Sequence, residues 1–120
     1  MQRDIAYLLD VQHEARMALG FIDGKTFADF EKDIQCQYAV IRAISIIGEA
    51  AARVSDDFTS QHAEIPWRQI IGMRNRMVHG YDDIVLSVVW EVLETHIPDL
   101  LKLVEPLIPS RSADSDTKDT

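Results

Sequence analysis

Apolar side chains recur along this chain at steps of three and four residues, the spacing that an amphipathic helix requires. The pattern predicts a first helix from about Asp4 to Leu19, which Gly20 can end with a turn. It predicts a second and longest helix from about Phe27 to Val54. Thr26 and Asp29 stand at the start of that helix as a variant of the capping box, so we expect a hydroxyl cap there.

Two apolar stripes run along the second helix, so we expect neighbours on two of its sides and place it at the centre of a bundle. The stripes are Phe30, Ile34, Tyr38, Ile41 and Ser45, and Val40, Ile44, Ile47, Ala51 and Val54. Its segment Gly48–Ala52 is small apart from one acid, which lets another helix approach closely. That acid, Glu49, could pair with Arg53 on the surface or turn inward toward an arginine of another helix.

Shorter elements follow. The stretch from Ser55 to Glu64 is polar and predicts a loop. Pro66 suits the first position of a third helix, which continues from Trp67 to about Val78 and which Gly80 can terminate.

The remaining elements complete an all-α fold. Asp82 or Asp83 is expected to cap a fourth helix, and Pro98 to break or kink it before a last helical segment. Residues 109–120 are polar and without periodicity, which predicts a disordered tail. The sequence therefore predicts one helical domain, residues 1–108, built as an antiparallel up-and-down bundle of four to five helices.

The composition bears on where this domain is located and on whether it binds a metal or a cofactor. No apolar run approaches the roughly 20 residues that a membrane span needs. Cys36 is the only cysteine among 120 residues, so a buried thiol in a reducing cytoplasm is expected. His13, His62 and His96 stand alone without the spacing of a zinc site, and we expect neither a metal nor a cofactor.

The charge of the chain is unevenly distributed. The net charge is -8, which argues against a protein that coats nucleic acid without specificity. Between Ile65 and Tyr81, however, there are three arginines and no acid, whereas the other 103 residues carry 9 basic and 20 acidic side chains. We call the stretch from Ile65 to Tyr81 the positive island. A small cluster of cations on an otherwise acidic protein suits the binding of an anion at one site. The arginines could equally make ordinary salt bridges at a helix end.

The island contains the run Arg74-Asn75-Arg76-Met77-Val78-His79-Gly80-Tyr81, written here as 74–81. Arginine holds anionic oxygens through a planar fork of donors, and histidine can move a proton near neutral pH. Arg74 and His79 lie about 140° apart on a continuous helix. They can converge with Tyr81 only at a helix end, which is where Gly80 places them.

This chemistry suits RNA cleavage without a metal, in which the 2′-hydroxyl attacks its own phosphate. His79 would carry the proton, and Arg74 would stabilise the charge that develops on the phosphate. Asn75 could position an oxygen, and Tyr81 could orient the imidazole. Because one histidine cannot easily be base and acid in a single step, two copies of the helix end in a homodimer are expected. His79 could instead be a helix-end cation that only interacts with the dipole.

Several stretches in order resemble the HepT-type ribonuclease toxins of the HEPN superfamily. They are Gly24-Lys25-Thr26-Phe27, Ile47-Gly48-Glu49-Ala50-Ala51, Ile65-Pro66-Trp67, Met73-Arg74-Asn75-Arg76 and His79-Gly80-Tyr81. The resemblance implies an all-helical homodimer that acts as a metal-independent endoribonuclease and arrests growth, as in HepT/MntA-type toxin–antitoxin systems. It implies catalytic roles for Arg74 and His79, with Asn75, Arg76 and Tyr81 in support. It also implies that a nucleotidyltransferase antitoxin silences the toxin by attaching AMP to Tyr81.

Two other functions stay open at this stage. A non-catalytic helical adaptor that binds a nucleotidyltransferase would suit the acidic body of the chain. A nucleotide-sensing dimer would use the same arginines without turnover. An intact set of Arg74, His79 and Tyr81 favours the enzyme, because an adaptor has no need of a proton carrier.

Overall fold

The computed structural model describes residues 2–79 and 84–109, and all of its regular elements in those ranges are helical. This confirms the all-α prediction. The helices are α1 (Gln2–Phe21), α2 (Phe27–Lys32), α3 (Ile34–Arg53), α4 (Asp56–Gln61), α5 (Trp67–His79), α6 (Leu86–Glu91) and α7 (Ile97–Val104), with a π turn at Val92–His96 and a 3-10 turn at Glu105–Leu107. In these ranges no helix has both the length and the apolar character to cross a membrane. The predicted tail lies outside them from Ser110 onward.

The predicted second helix is wrong as one continuous element, because Asp33 divides it. The backbone N–H of Asp33 ends α2 by donating to the Phe30 carbonyl at 3.2 Å. Its side chain then accepts the N–H of Cys36 at 3.0 Å and caps α3. Aspartate competes in this way with the helical backbone, so it starts a new helix more readily than it continues an old one. The capping box predicted at Thr26 is confirmed.

The predicted loop from Ser55 to Glu64 is also wrong in part, because it contains α4. Ser55 accepts the N–H of Phe58 at 3.2 Å and acts as the N-cap residue. Two acids in the first turn of α4 favour the helix through its dipole. Phe58 is buried and anchors this short helix to the core.

At the C-terminal end the chain is not broken at Pro98, but α6 ends before it and a π turn leads into α7, the predicted last helical segment. A proline ring clashes with the carbonyl four residues earlier and cannot donate a hydrogen bond. Here the N–H of Ile97 reaches back five residues to the Val92 carbonyl, which forms the π turn just before the proline. The N-cap residue of α6 is Val85, without a side-chain cap. The predicted cap, Asp82 or Asp83, lies outside the described residues.

The core forms around α3, as predicted for the second helix. Both α1 and α5 pack along α3, and α7 packs against α1. Trp90 of α6 lies against Phe30 of α2 with ring centroids 5.3 Å apart. Glu49 forms the surface pair with Arg53 rather than turning inward, and its Oε2 lies 3.9 Å from the NH2 of Arg53. The largest fully buried side chains are Phe30, Leu8, Ile44, Ile47, Ile65, Leu93 and Ile97.

Candidate active site

The motif helix α5 approaches α3 closely where Gly48 faces Arg74. A Cβ atom placed on Gly48 would lie 2.0 Å from the Cβ and 2.9 Å from the Cγ of Arg74, and 3.0 Å from the carbonyl oxygen of Ile70. The two backbones approach this closely because residue 48 has no side chain. The prediction that the small segment Gly48–Ala52 admits another helix is therefore confirmed.

The start of α5 packs against α4, the short helix that follows α3. The indole Nε1 of Trp67 donates to the His62 carbonyl at 3.0 Å. The Trp67 ring stands edge-on to Phe58 of α4, with centroids 6.4 Å apart. From there α5 runs back along α3, antiparallel to it. His79, five residues beyond Arg74, is the last residue of α5 and lies about 7.5 Å farther along the helix axis.

Arg74 and Asn75 form a pair of hydrogen-bonding groups beside the crossing. Arg74 is half-buried, and its NH1 donates to the Oδ1 of Asn75 at 3.0 Å. Asn75 itself is exposed. Within the described ranges none of the ion pairs involves Arg68, Arg74 or Arg76. The salt bridges that could have explained the positive island are therefore not found in that part of the chain.

Asn75 belongs to one side of the α3–α5 pair, which we call the open face. Gly48 and Arg74 face each other across two antiparallel helices. Two residues that are rotated from Gly48 and from Arg74 by the same angle around their own helix axes, counted at about 100° per residue, therefore point to the same side of the pair. On this count the open face is formed by Ile34, Tyr38 and Ser45 of α3 and by Ile71 and Asn75 of α5. Ile34 is 65% exposed and Tyr38 is 73% exposed. Large apolar side chains are thus uncovered on the same face as Asn75.

Arg76 lines a different surface, on the other side of α5. There a groove of about 790 Å³ separates α5 from α6 and α7. His96 of the π turn and the acids Glu91 and Asp99 also line it. The structure therefore brings Arg74 and Asn75 together and places Arg76 away from them. Sequence patterns contain no signal for this groove, because it arises from how far apart two helices pack.

The other candidate residues are placed as follows. His79 lies on α5, which extends to the end expected for it, and Tyr81 lies in 80–83, outside the described residues. His62 stacks against Phe58 with centroids 4.4 Å apart and lies 3.5 Å from Glu64, an arrangement that packs α4. Within residues 2–79 and 84–109, no three His, Cys, Asp or Glu side chains are grouped as metal ligands.

Comparison with known proteins decides the family. A family model described as Ribonuclease HepT-like matches residues 11–107. The chain belongs to the HepT-like ribonuclease family. This family lies within the HEPN superfamily, in agreement with the all-α bundle. No solved structure matches the chain.

Similar proteins from three organisms support the assignment. A protein of Thermococcus cleftensis named as a ribonuclease HepT is 38% identical over 101 residues, covering 84% of this chain and 92% of its own. A protein of Caldanaerobacter subterraneus subsp. tengcongensis named as an RNase is 32% identical, covering 85% and 91%. One from Methanocaldococcus jannaschii, also named as an RNase, is 30% identical, covering 86% and 85%. The HepT-like match thus extends over nearly the full length of these relatives.

Proposed function

We propose that this protein is a metal-independent endoribonuclease in which Arg74 and His79 are the catalytic residues. In addition to family membership, one structural observation supports this proposal. Arg74 is held at the Gly48 crossing, with its guanidinium bonded to the exposed Asn75 at 3.0 Å. A guanidinium and an amide at one point supply donors for phosphate and sugar oxygens. His79 is the last residue of the same helix, one and a half turns farther on.

The reaction would proceed by transesterification. One His79 takes the proton of a 2′-hydroxyl, whose oxygen attacks the adjacent phosphorus. Arg74 stabilises the additional negative charge of the pentacoordinate phosphorane. The bond from phosphorus to the 5′-oxygen then breaks, and a second, protonated His79 gives that oxygen its proton. The products are a 2′,3′-cyclic phosphate and a 5′-hydroxyl.

A homodimer would supply the second histidine. Ile34 and Tyr38 leave apolar surface uncovered on the open face, one helical turn apart on α3. Uncovered patches of this kind mark sites of protein association. Since α5 runs antiparallel to α3, its His79 end points toward the half of α3 that carries both residues. A two-fold axis through the open face would bring the two α5 ends to one cleft.

Regulation by a nucleotidyltransferase antitoxin completes the proposal, in which the protein is the cytoplasmic toxin of a toxin–antitoxin pair. Tyr81 lies two residues beyond His79 in sequence. An AMP group on its hydroxyl would add a phosphate and a base beside Arg74 and His79. The added charge would occupy the donors that RNA requires.

The test of this reaction is the chemistry of the RNA ends. Protein shown by mass spectrometry to carry no AMP is incubated with a defined tRNA in excess EDTA. We expect fragments with 2′,3′-cyclic phosphate and 5′-hydroxyl ends. Fragments with 3′-hydroxyl and 5′-phosphate ends would contradict the mechanism, because attack by water rather than by the 2′-hydroxyl produces them.

A non-catalytic adaptor of a nucleotidyltransferase is the second candidate. The balance of -11 outside residues 65–81 favours it, because an acidic body repels RNA. If the protein is an adaptor, we expect the partner enzyme to bind equally well to the wild type and to His79→Ala, and neither protein to cleave RNA. Cleavage by the wild type alone would exclude it.

A further inference from the structure

We infer that Gly48 is a positioning residue that sets the place of Arg74, and so of the guanidinium that would bind phosphate. The structural part of this inference stands on the crossing geometry alone, whereas its catalytic consequence rests on the proposed function. A Cβ atom added to Gly48 would meet the Cβ of Arg74 at 2.0 Å and the carbonyl oxygen of Ile70 at 3.0 Å. Both of these atoms are fixed by the backbone of α5, so rotation of a side chain cannot relieve the overlap.

The requirement for glycine is specific to this position. Glycine in a helix interior is less favourable than alanine by roughly fivefold in equilibrium constant. Alanine occupies positions 50, 51 and 52 of the same helix. The helical glycines Gly20 and Gly72 have no atom within 4 Å of an added Cβ. Among the helical glycines of residues 2–79 and 84–109, Gly48 is therefore the one whose missing side chain is needed for packing.

An alanine at position 48 would displace the motif helix. To reach the 3.4 Å of ordinary contact, the two Cβ atoms must separate by about 1.4 Å from their 2.0 Å spacing. Because Arg74 and Asn75 move with α5, their shared donor array shifts by a similar distance. Misplacement of a reacting group by about 1 Å can reduce a rate about 100-fold.

The catalytic consequence is tested by steady-state cleavage of a defined RNA by Gly48→Ala. Gly72→Ala is the matched control, since it makes the same change on α5 where space is free. We expect kcat of Gly48→Ala to fall about 10- to 100-fold with KM changed less than threefold, and Gly72→Ala to match the wild type. Wild-type kcat in Gly48→Ala would overturn the inference.

A double-mutant cycle tests the structural part without any reference to activity. Gly48→Ala is measured by urea unfolding, at one protein concentration, in three backgrounds: Arg74, Arg74→Ala and Arg74→Gly. The first two keep the Cβ of residue 74, so the unfolding constant should rise about tenfold when Gly48→Ala is introduced. In Arg74→Gly the Cβ is absent, and we expect that penalty to fall to less than threefold.

The three backgrounds separate the possible results. An equal penalty in all of them would overturn the inference, because the Arg74 Cβ would then play no part. If the wild type cleaves no RNA, the proposed function fails. In that case the cycle still decides whether Gly48 positions Arg74.

Discussion

The most informative stability prediction concerns Asp4, a carboxylate only 4% exposed at the start of α1. Its Oδ1 accepts the backbone N–H of Ser55 at 2.8 Å, and its Oδ2 accepts the Ser55 hydroxyl at 2.8 Å. The Ser55 oxygen in turn accepts the N–H of Phe58 at 3.2 Å. Asp4 therefore joins α1 to the cap of α4, close to where α3 ends.

The magnitude follows from the bonds that are lost. A hydrogen bond to a charged group contributes about 1.5–3 kcal/mol, and the two bonds share one acceptor group and are not additive. We expect Asp4→Ala to lower the free energy of unfolding by about 2–4 kcal/mol. Asp4→Asn keeps neutral hydrogen bonds with Ser55 and should lose about 1–2 kcal/mol. Asp10→Ala, an exposed acid on the same helix, should change it by less than about 0.5 kcal/mol.

The effect depends on pH with a definite sign. The Ser55 backbone N–H, aided by its hydroxyl, holds the pKa of the Asp4 carboxyl below its ordinary value of 3.8, against the opposing effect of burial. A group whose pKa is lower in the folded state stabilises the fold above its unfolded pKa, and this contribution is lost as the pH falls through the folded pKa. The difference between wild type and Asp4→Asn should therefore be full at neutral pH and shrink below about pH 4.

Urea unfolding followed by circular dichroism, at pH values from 7 to 3 and one protein concentration, provides the assay. A loss below about 0.5 kcal/mol for Asp4→Ala at pH 7 would contradict a stabilising role for the Asp4–Ser55 hydrogen bonds, because surface substitutions fall in that range. So would a difference between wild type and Asp4→Asn that stays constant down to pH 3.

Three further predictions address the dimer, the core and the modification. In sedimentation equilibrium the wild type should be a dimer and Tyr38→Lys a monomer with lower RNA cleavage, and a variant that stays dimeric would contradict the proposed interface. Phe58→Ala should reduce the free energy of unfolding by about 3–5 kcal/mol in urea, and a loss below about 1 kcal/mol would show that α4 is not anchored there. Tyr81→Phe should cleave RNA but take up no AMP from an MntA-like nucleotidyltransferase, and a mass increase of one AMP would place the modification elsewhere.

The helical fold could be predicted because its signals are local. The apolar period defined α1, the central α3 and α5, and the Thr26 cap defined the start of α2. The break at Asp33 was missed because apolar residues continue in helical register across it, from Phe30 to Ile34. Asp33 and Ser55 each precede, by three residues, the N–H that they cap. That three-residue spacing is visible in the sequence, but the prediction of one continuous helix followed the apolar periodicity instead.

The site could be predicted only in part, because motif spacing locates residues along a helix without fixing their surroundings. The run 74–81 indicated candidate catalytic residues, and the small segment at Gly48 indicated a close helix contact. Neither indicated that the two meet at Arg74. Without that contact as a reference, the opposite placements of Asn75 and Arg76 could not be derived. The exposure of Tyr38 likewise depends on which stripe of α3 has no neighbour within one chain.

The central claim is that His79 and Arg74 cleave RNA without a metal, and one comparison of rates tests it most directly. Wild type free of AMP, His79→Ala and Arg74→Ala are assayed with the same tRNA in excess EDTA, after circular dichroism shows that all three are folded. We expect cleavage by the wild type and a loss of at least about 100-fold in both variants. Cleavage by His79→Ala at the wild-type rate, or none by the wild type across several RNAs, would contradict it.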